Sequence, residues 1–317
     1  MSNLWGSILS PLFVFAVFRV MTPILYPALG AGISGLSGSL NIALEGIMLV
    51  SALMGVIISA VSQSLILAVA GAIAAGLLVA LVLAFVHLNL KADIVLAGIA
   101  LNLFASGFTV FLLYLTAKSK GNSAALKSLM MPTLAIPLVK DIPVVGQMLS
   151  GHNILTYIAL LAVPVYWVIV NKTPLGLRIR AVGQSPDAAI STGIRPDVIK
   201  LKALLISGVF ASLGGIYLSM GYSSAFGRDM TAGRGFIALA VAVVAQNKPL
   251  RTLLYGFLFA AMFTFAVYLG SIKFPTELIQ TIPYLMTVIV LVVYCLIGRR
   301  RPRPLQPAEK DASEKPA

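Results

Sequence analysis

The chain has 317 residues, 59% hydrophobic and 10% charged, with a mean hydropathy of +0.98. Soluble domains carry roughly 25% charged residues, so the composition excludes a soluble globular protein and points to one membrane-embedded helical bundle. Lys and Arg number 23 against 10 Asp and Glu, a net charge of +13; in such a chain the excess holds loops on the cytoplasmic side and is not read as a nucleic-acid surface.

The N-terminus, MSNLWGSILS, lacks the basic stretch of a secretory signal, so the first apolar run, 8–29, is expected to be a mature span. It carries Arg19, expected to pair or snorkel, and Pro11, Pro23 and Pro27, which should bend it. GAGISGLSGSL at 30–40 reads as a break, and 41–62 as a second span with Glu45 near its start. Spans follow at 65–86 and 94–116, with Lys91 and Asp93 in the turn between them.

The connection 117–151 holds four lysines yet contains LMMPTLAIPLV and IPVVGQML, so it should pack at the interface rather than run free in solvent. A fifth span, 153–170, leads into a basic island, 171–202, and a sixth span occupies 203–222. After GRDMTAGRG comes a short apolar piece, 235–246, then spans at 252–272 and 282–297. The tail 299–317 opens with RRRPRP and is expected to be disordered.

Charge sets the orientation. The island and the arginine-rich tail both belong in the cytoplasm, so an even number of crossings separates them. The piece at 235–246 must therefore cross, although twelve residues span only about 18 Å of a ~30 Å hydrocarbon core. Non-helical backbone near GRDMTAGRG has to complete the passage, which is tolerated only inside protein or against water. The expected architecture is an all-α polytopic bundle of about nine crossings, with Gly-rich helix breaks, over 1–298. SGSLNIALEGIML and TAGRGFIALAVAV share a Gly/Ser lead-in and an IAL core, a weak internal repeat of the sort found where transporter helices are discontinuous.

Inside the island a short helix is legible from its ends. Ser185 suits the N-cap, Pro186 the first helical position, and Asp187 the positive end of the dipole. Ala188 and Ala189 continue it, and Gly193 fits the left-handed stop. A helix this short is marginal unless something docks on it; it is either a handle for another protein or a surface helix in a long loop.

Glu45 is the one carboxylate well inside an apolar run, with Asn41 one turn earlier on the same face. The pair is either a polar patch at the mouth of a pathway or a structural bond. Arg228, Gly233, Gly235 and Phe236 are further pathway candidates, with a local salt-bridged loop as the plainer reading of Arg228, Asp229 and Arg234. Asn102 is expected to bond helix to helix, and His87 and His152 to sit at the interface. One cysteine, Cys295, and two histidines give no disulfide and no metal spacing, and there is no nucleophile–base set and no phosphate-binding glycine loop. No catalytic or metal residue is assigned. A chain that pumps without these must take its energy from another polypeptide.

Asp187-Ala188-Ala189-x-x-x-Gly193 resembles the E-A-A-x-x-x-G coupling loop of permease subunits of bacterial ATP-binding-cassette importers, with Asp for Glu. GLSGSLNIALEGIML, TPLGLRIRAVG with SPDAAISTGI, and GRDMTAGRGFIALA are similar to the branch for nucleosides and simple sugars, over roughly 23–304. AQNKPL at 245–250 departs from the family's more glycine-rich stretch. The resemblance implies nucleoside import, with a simple sugar as alternative and a stand-alone channel or secondary carrier as the competing class. It also implies an ATPase dimer that binds ATP and Mg, a second and different permease chain, an extracytoplasmic binding lipoprotein docking on 117–151, and the bacterial cytoplasmic membrane with its lipid as location.

Overall fold

The computed structural model describes residues 10–135 and 145–270 and, as helical positions, 285, 289 and 292. Apart from those three positions, the expected span at 282–297 lies outside the described residues, as do Cys295 and the tail 299–317. The helices are α1 (Pro11–Leu36), α2 (Leu44–Ser62), α3 (Leu65–Ala84), α4 (Ile94–Ala117), the short α5 (Val145–Leu149), α6 (Ile154–Lys172), α7 (Pro174–Gln184), α8 (Pro186–Ser191), α9 (Pro196–Ile216), α10 (Arg234–Val244) and α11 (Pro249–Gly270). π-Helical turns extend α3 over Phe85–Asn89 and α9 over Tyr217–Tyr222. Among the described residues seven helices are long and apolar enough to cross a membrane, and α10 is a shorter apolar helix.

α1 is the axis of the bundle. Every residue from Met21 to Ser34 is buried, and α6, α9, α10 and α11 all pack on it. Small residues set the closest crossings. A Cβ on Gly30 would stand 2.8 Å from the Ser207 carbonyl of α9, and one on Gly215 of α9 would overlap the Met48 backbone of α2. Hydrogen bonds across helices fix the register: the Tyr26 hydroxyl donates to the Leu155 carbonyl at 2.7 Å, and Tyr166 donates to the Asn247 carbonyl at 2.6 Å.

One expectation is corrected by the structure. The first break begins later than the glycines imply: residues 30–36 are helical and the interruption runs from Ser37 to Ala43. Packing of Gly30 and Gly32 against α9 and Tyr166 overrides their poor helix propensity. His152, two residues before α6, is 2% exposed, stacked at 4.0 Å on Phe15, with Nε2 3.0 Å from the Met148 carbonyl. Burial pushes its pKa below the ordinary histidine value. It sits in a two-residue antiparallel pairing, β1 (Thr133–Leu134) with β2 (His152–Asn153).

The described part of the 117–151 connection packs on the bundle, and 136–144, which holds much of its two apolar stretches, lies outside the described residues. Ser123 N–H donates to the Phe226 carbonyl while Phe226 N–H donates to the Ser123 hydroxyl, Met131 N–H donates to the Met220 carbonyl, and Leu129 N–H donates to the Ser59 hydroxyl. Arg19 lies over the Tyr222 ring at 4.8 Å, a cation–π contact that fits its expected structural role.

Candidate functional site

One end of the bundle is built on α7 and α8. Thr173 accepts from Gly176 N–H at 3.2 Å and Pro174 opens α7, the same cap-plus-proline start that Ser185 and Pro186 give α8. The Ser185 hydroxyl accepts from Ala188 N–H at 3.3 Å, and Asp187 lies in the first turn. Gly193 has φ +80°, and the Ile194 N–H closes back on the Ala189 carbonyl at 3.0 Å. Ala189 is 3% exposed and joins Ile179 and Val182 of α7 and Ile199 of α9 in one apolar cluster, while Ile190 points outward, 57% exposed. The basic stretch GLRIRAVG also packs on the bundle. A Cβ on Gly183 would overlap the Leu36 carbonyl, so α7 lies directly against the C-terminal end of α1. α8 is thus braced on α7, and α7 on the axis of the bundle.

A second junction lies at the start of α2. The Glu45 carboxylate accepts from Gly233 N–H at 2.8 Å through Oε1 and from Gly235 N–H at 2.6 Å through Oε2. Those are free N–H groups at the start of α10, so a side chain in the first turn of α2 caps a different helix. The two helix N-termini meet at one carboxylate, where both dipoles favour negative charge. Gly235 permits the approach: a Cβ there would stand 2.6 Å from Glu45 N and 2.7 Å from its Cα. Asn41 is fully buried; its Oδ1 accepts from Ala43 N–H, its Nδ2 donates to Ser207 and its N–H donates to Ser34. Asn102 of α4 accepts from Gly46 N–H and donates to the Ile42 carbonyl, the helix-to-helix role expected of it. The polar atoms of Asn41 and Glu45 are thereby occupied by protein.

The internal repeat is not one backbone used twice. Gly38 and Gly233 are both left-handed, φ +80° and +76°, but Gly38 follows the end of α1 whereas Gly233 is the N-cap of α10. What the halves share is a non-helical lead-in to a helix whose N-terminus reaches Glu45.

Arg228 and Phe236 lie apart from those buried contacts. The Arg228 and Asp229 side chains are 63% and 53% exposed and 3.5 Å apart, the salt-bridged loop of the plainer reading. Asp229 Oδ1 also accepts from the Ser106 hydroxyl of α4 at 2.7 Å, a contact that no pattern in the sequence signals. Phe236 is 46% exposed. Asp229 (φ +49°) and Ala232 (φ +45°) hold left-handed backbone, at a cost on the order of 1–3 kcal/mol each that surrounding structure must sustain.

Comparison with known proteins gives the chain its relatives. The family described as branched-chain amino acid transport system / permease component matches residues 13–291. TsgC13 of Haloferax volcanii, which carries the name of a glucose ABC transporter permease protein, is 34% identical over 252 residues, 78% of this chain and 74% of its own. The nucleoside ABC transporter permease protein NupC of Lactococcus lactis subsp. cremoris is 30% identical over 287 residues, 86% of this chain and 89% of its own. NupB of the same strain, also a nucleoside ABC transporter permease protein, is 31% identical over 134 residues, 42% of this chain and 37% of its own.

Proposed function

The chain belongs to the branched-chain amino acid transport system / permease component family, as an ABC permease of its nucleoside and sugar branch, and from that premise we propose that α8 is the lever through which a separate ATPase drives it. The observation that carries this reading is the mounting of α8: a capped two-turn helix with Ile190 exposed, braced through Gly183 on the C-terminal end of α1. A push on α8 is therefore delivered to the helix on which α6, α9, α10 and α11 pack. Rocking of one such body against another alternates access to the path.

The subunit is a multi-pass membrane permease and transports nucleosides; a simple sugar is the second reading, favoured by the name of TsgC13. Permeases of this family are not enzymes, and ATP and Mg belong to the ATPase dimer. Two permeases of one strain, NupC and NupB, both match, which supports pairing with a different permease chain. The reading extends to about nine crossings in the bacterial cytoplasmic membrane, a single permease domain over 1–298, the tail 299–317 on the cytoplasmic side, and an external lipoprotein that docks on 117–151.

The test is reconstitution with the cognate ATPase and binding protein. Ala189→Glu places a charge where α8 meets α7 and should abolish ATP-driven nucleoside uptake while the permease still inserts and pairs. Uptake that persists with an inactive ATPase would instead identify a channel or secondary carrier.

A further inference from the structure

Ser106 has twelve residues of α4 before it and eleven after it, in a helix of 24. It stands about 18 Å from either end, at the middle of this helix. Asp229 is bonded to it, and Arg228 is paired with Asp229. Both charged side chains are more than half exposed, and the Arg228 N–H donates to the carbonyl of Gly121, beyond the end of α4. An ionisable pair does not face hydrocarbon; it faces the bundle interior or a water-filled cavity. The backbone that carries it is non-helical from Ser223 to Gly233, apart from turns, and such backbone is tolerated at depth only against protein or water. Around the helix from Ser106, Phe104 is 61% exposed and stacks on Phe108, the apolar face suited to lipid. The two faces of α4 therefore meet different surroundings.

We propose that Ser106, Asp229 and Arg228, with Phe236 of the helix that follows their loop, form a polar station on the translocation path that receives the hydroxyl-bearing sugar of the substrate. The second permease chain completes it from the opposite side. Asp229 has acceptor capacity beyond the Ser106 bond, and a carboxylate accepts from neighbouring sugar hydroxyls. Phe236, one turn into α10, offers an exposed ring on which a planar base can stack. Nucleosides and simple sugars share the hydroxyls, so the station serves either reading of the substrate and rests on the importer assignment above.

Cysteine labelling in the assembled transporter tests this. Cys295 is the chain's single cysteine, so Cys295→Ser gives a clean background for Ser106→Cys, Phe236→Cys and the control Phe104→Cys. A charged, membrane-impermeant thiol reagent should modify positions 106 and 236 and leave 104 unreacted. A ribonucleoside at ten times its Kd should slow labelling at 106 about tenfold by simple occupancy, and the free base, which lacks the sugar, should not. Protection by glucose but not by the ribonucleoside supports the station and overturns the nucleoside reading. Absence of labelling at both 106 and 236 overturns the location. Labelling that no sugar-bearing solute slows, or that the free base slows equally, overturns the role.

Discussion

Two short helices in this molecule start in opposite ways. α8 is capped by the residue beside it, Ser185, and its turn ends in its own Gly193. α10 has no side-chain cap from its own N-cap residue, Gly233, and takes both its acceptors from Glu45, 188 and 190 residues away. The first helix faces the aqueous cytoplasm in the proposed orientation, where water substitutes for a missing partner. The second begins inside the bundle, where an unmet N–H keeps its full desolvation cost. A local cap suits a part that must be presented to another protein. A remote cap suits a part that must stay fixed to a neighbour, and it makes α2 and α10 one body.

The sharpest way to break that contrast is Glu45→Ala. It strips two N–H groups of a charged acceptor, a loss of about 3 kcal/mol or more. The detergent-solubilised protein should melt markedly earlier and uptake should fall below detection. Glu45→Gln keeps one acceptor and should fall between. If Glu45→Ala melts like the parent, α10 is not held by this bond. Gly235→Ala attacks the same junction from the other side. Its Cβ would meet the Glu45 backbone at 2.6 Å, and overpacking of this kind costs about 1–3 kcal/mol. Because both changes act on one contact, the double variant should be less damaging than the sum of the singles, read by thermal unfolding.

The contrast also explains what could be read in advance. Ser185-Pro186-Asp187 through Gly193 is a string of neighbouring residues whose preferences all agree, so the helix and both its ends are legible from the chain. Thr173-Pro174 carries the same signal for α7 and is equally local. Glu45 displayed its burial problem but not its solution, because the groups that satisfy it lie in the other half of the chain. The Ser106–Asp229 bond left no trace, since a serine in an apolar helix is indistinguishable from one that bonds its own turn. The first helix break was misplaced for a related reason: glycine reads as a helix breaker locally, but Gly30 and Gly32 are demanded by close crossings that only the folded bundle creates.

Gly193→Ala probes the local device with a smaller effect. Nothing lies within 4 Å of the added Cβ, so sterics with neighbours contribute nothing. The cost is the left-handed backbone at φ +80°, about 1–2 kcal/mol for a residue with a Cβ. That strain falls on the turn after α8 alone. ATP-driven uptake should drop several-fold while the melting temperature of the bundle stays put. A matching fall in melting temperature would mean that α8 is part of the core rather than presented by it.

Ser185→Ala should do least, and its size separates the two modes of capping. The bond it removes is long, 3.3 Å, and the residue is exposed. Loss of such a cap costs about 0.5–1 kcal/mol, at the lower end for caps generally, because water reaches the freed N–H of Ala188. Pro186 still presets the first turn, and Ala189 still anchors the helix on Ile179 and Val182. Uptake should fall no more than about fivefold, since one kcal/mol is roughly that factor in an equilibrium. Restoring a cap with Ser185→Asp should recover it, because Asp offers the same acceptor and adds charge at the positive end of the dipole. No comparable rescue exists for α10, where the acceptor must arrive from another helix at a fixed height. An uptake loss for Ser185→Ala as large as that for Glu45→Ala would show that the cytoplasmic helix also depends on a buried, water-free cap, and the distinction between the presented helix and the clamped one would fail.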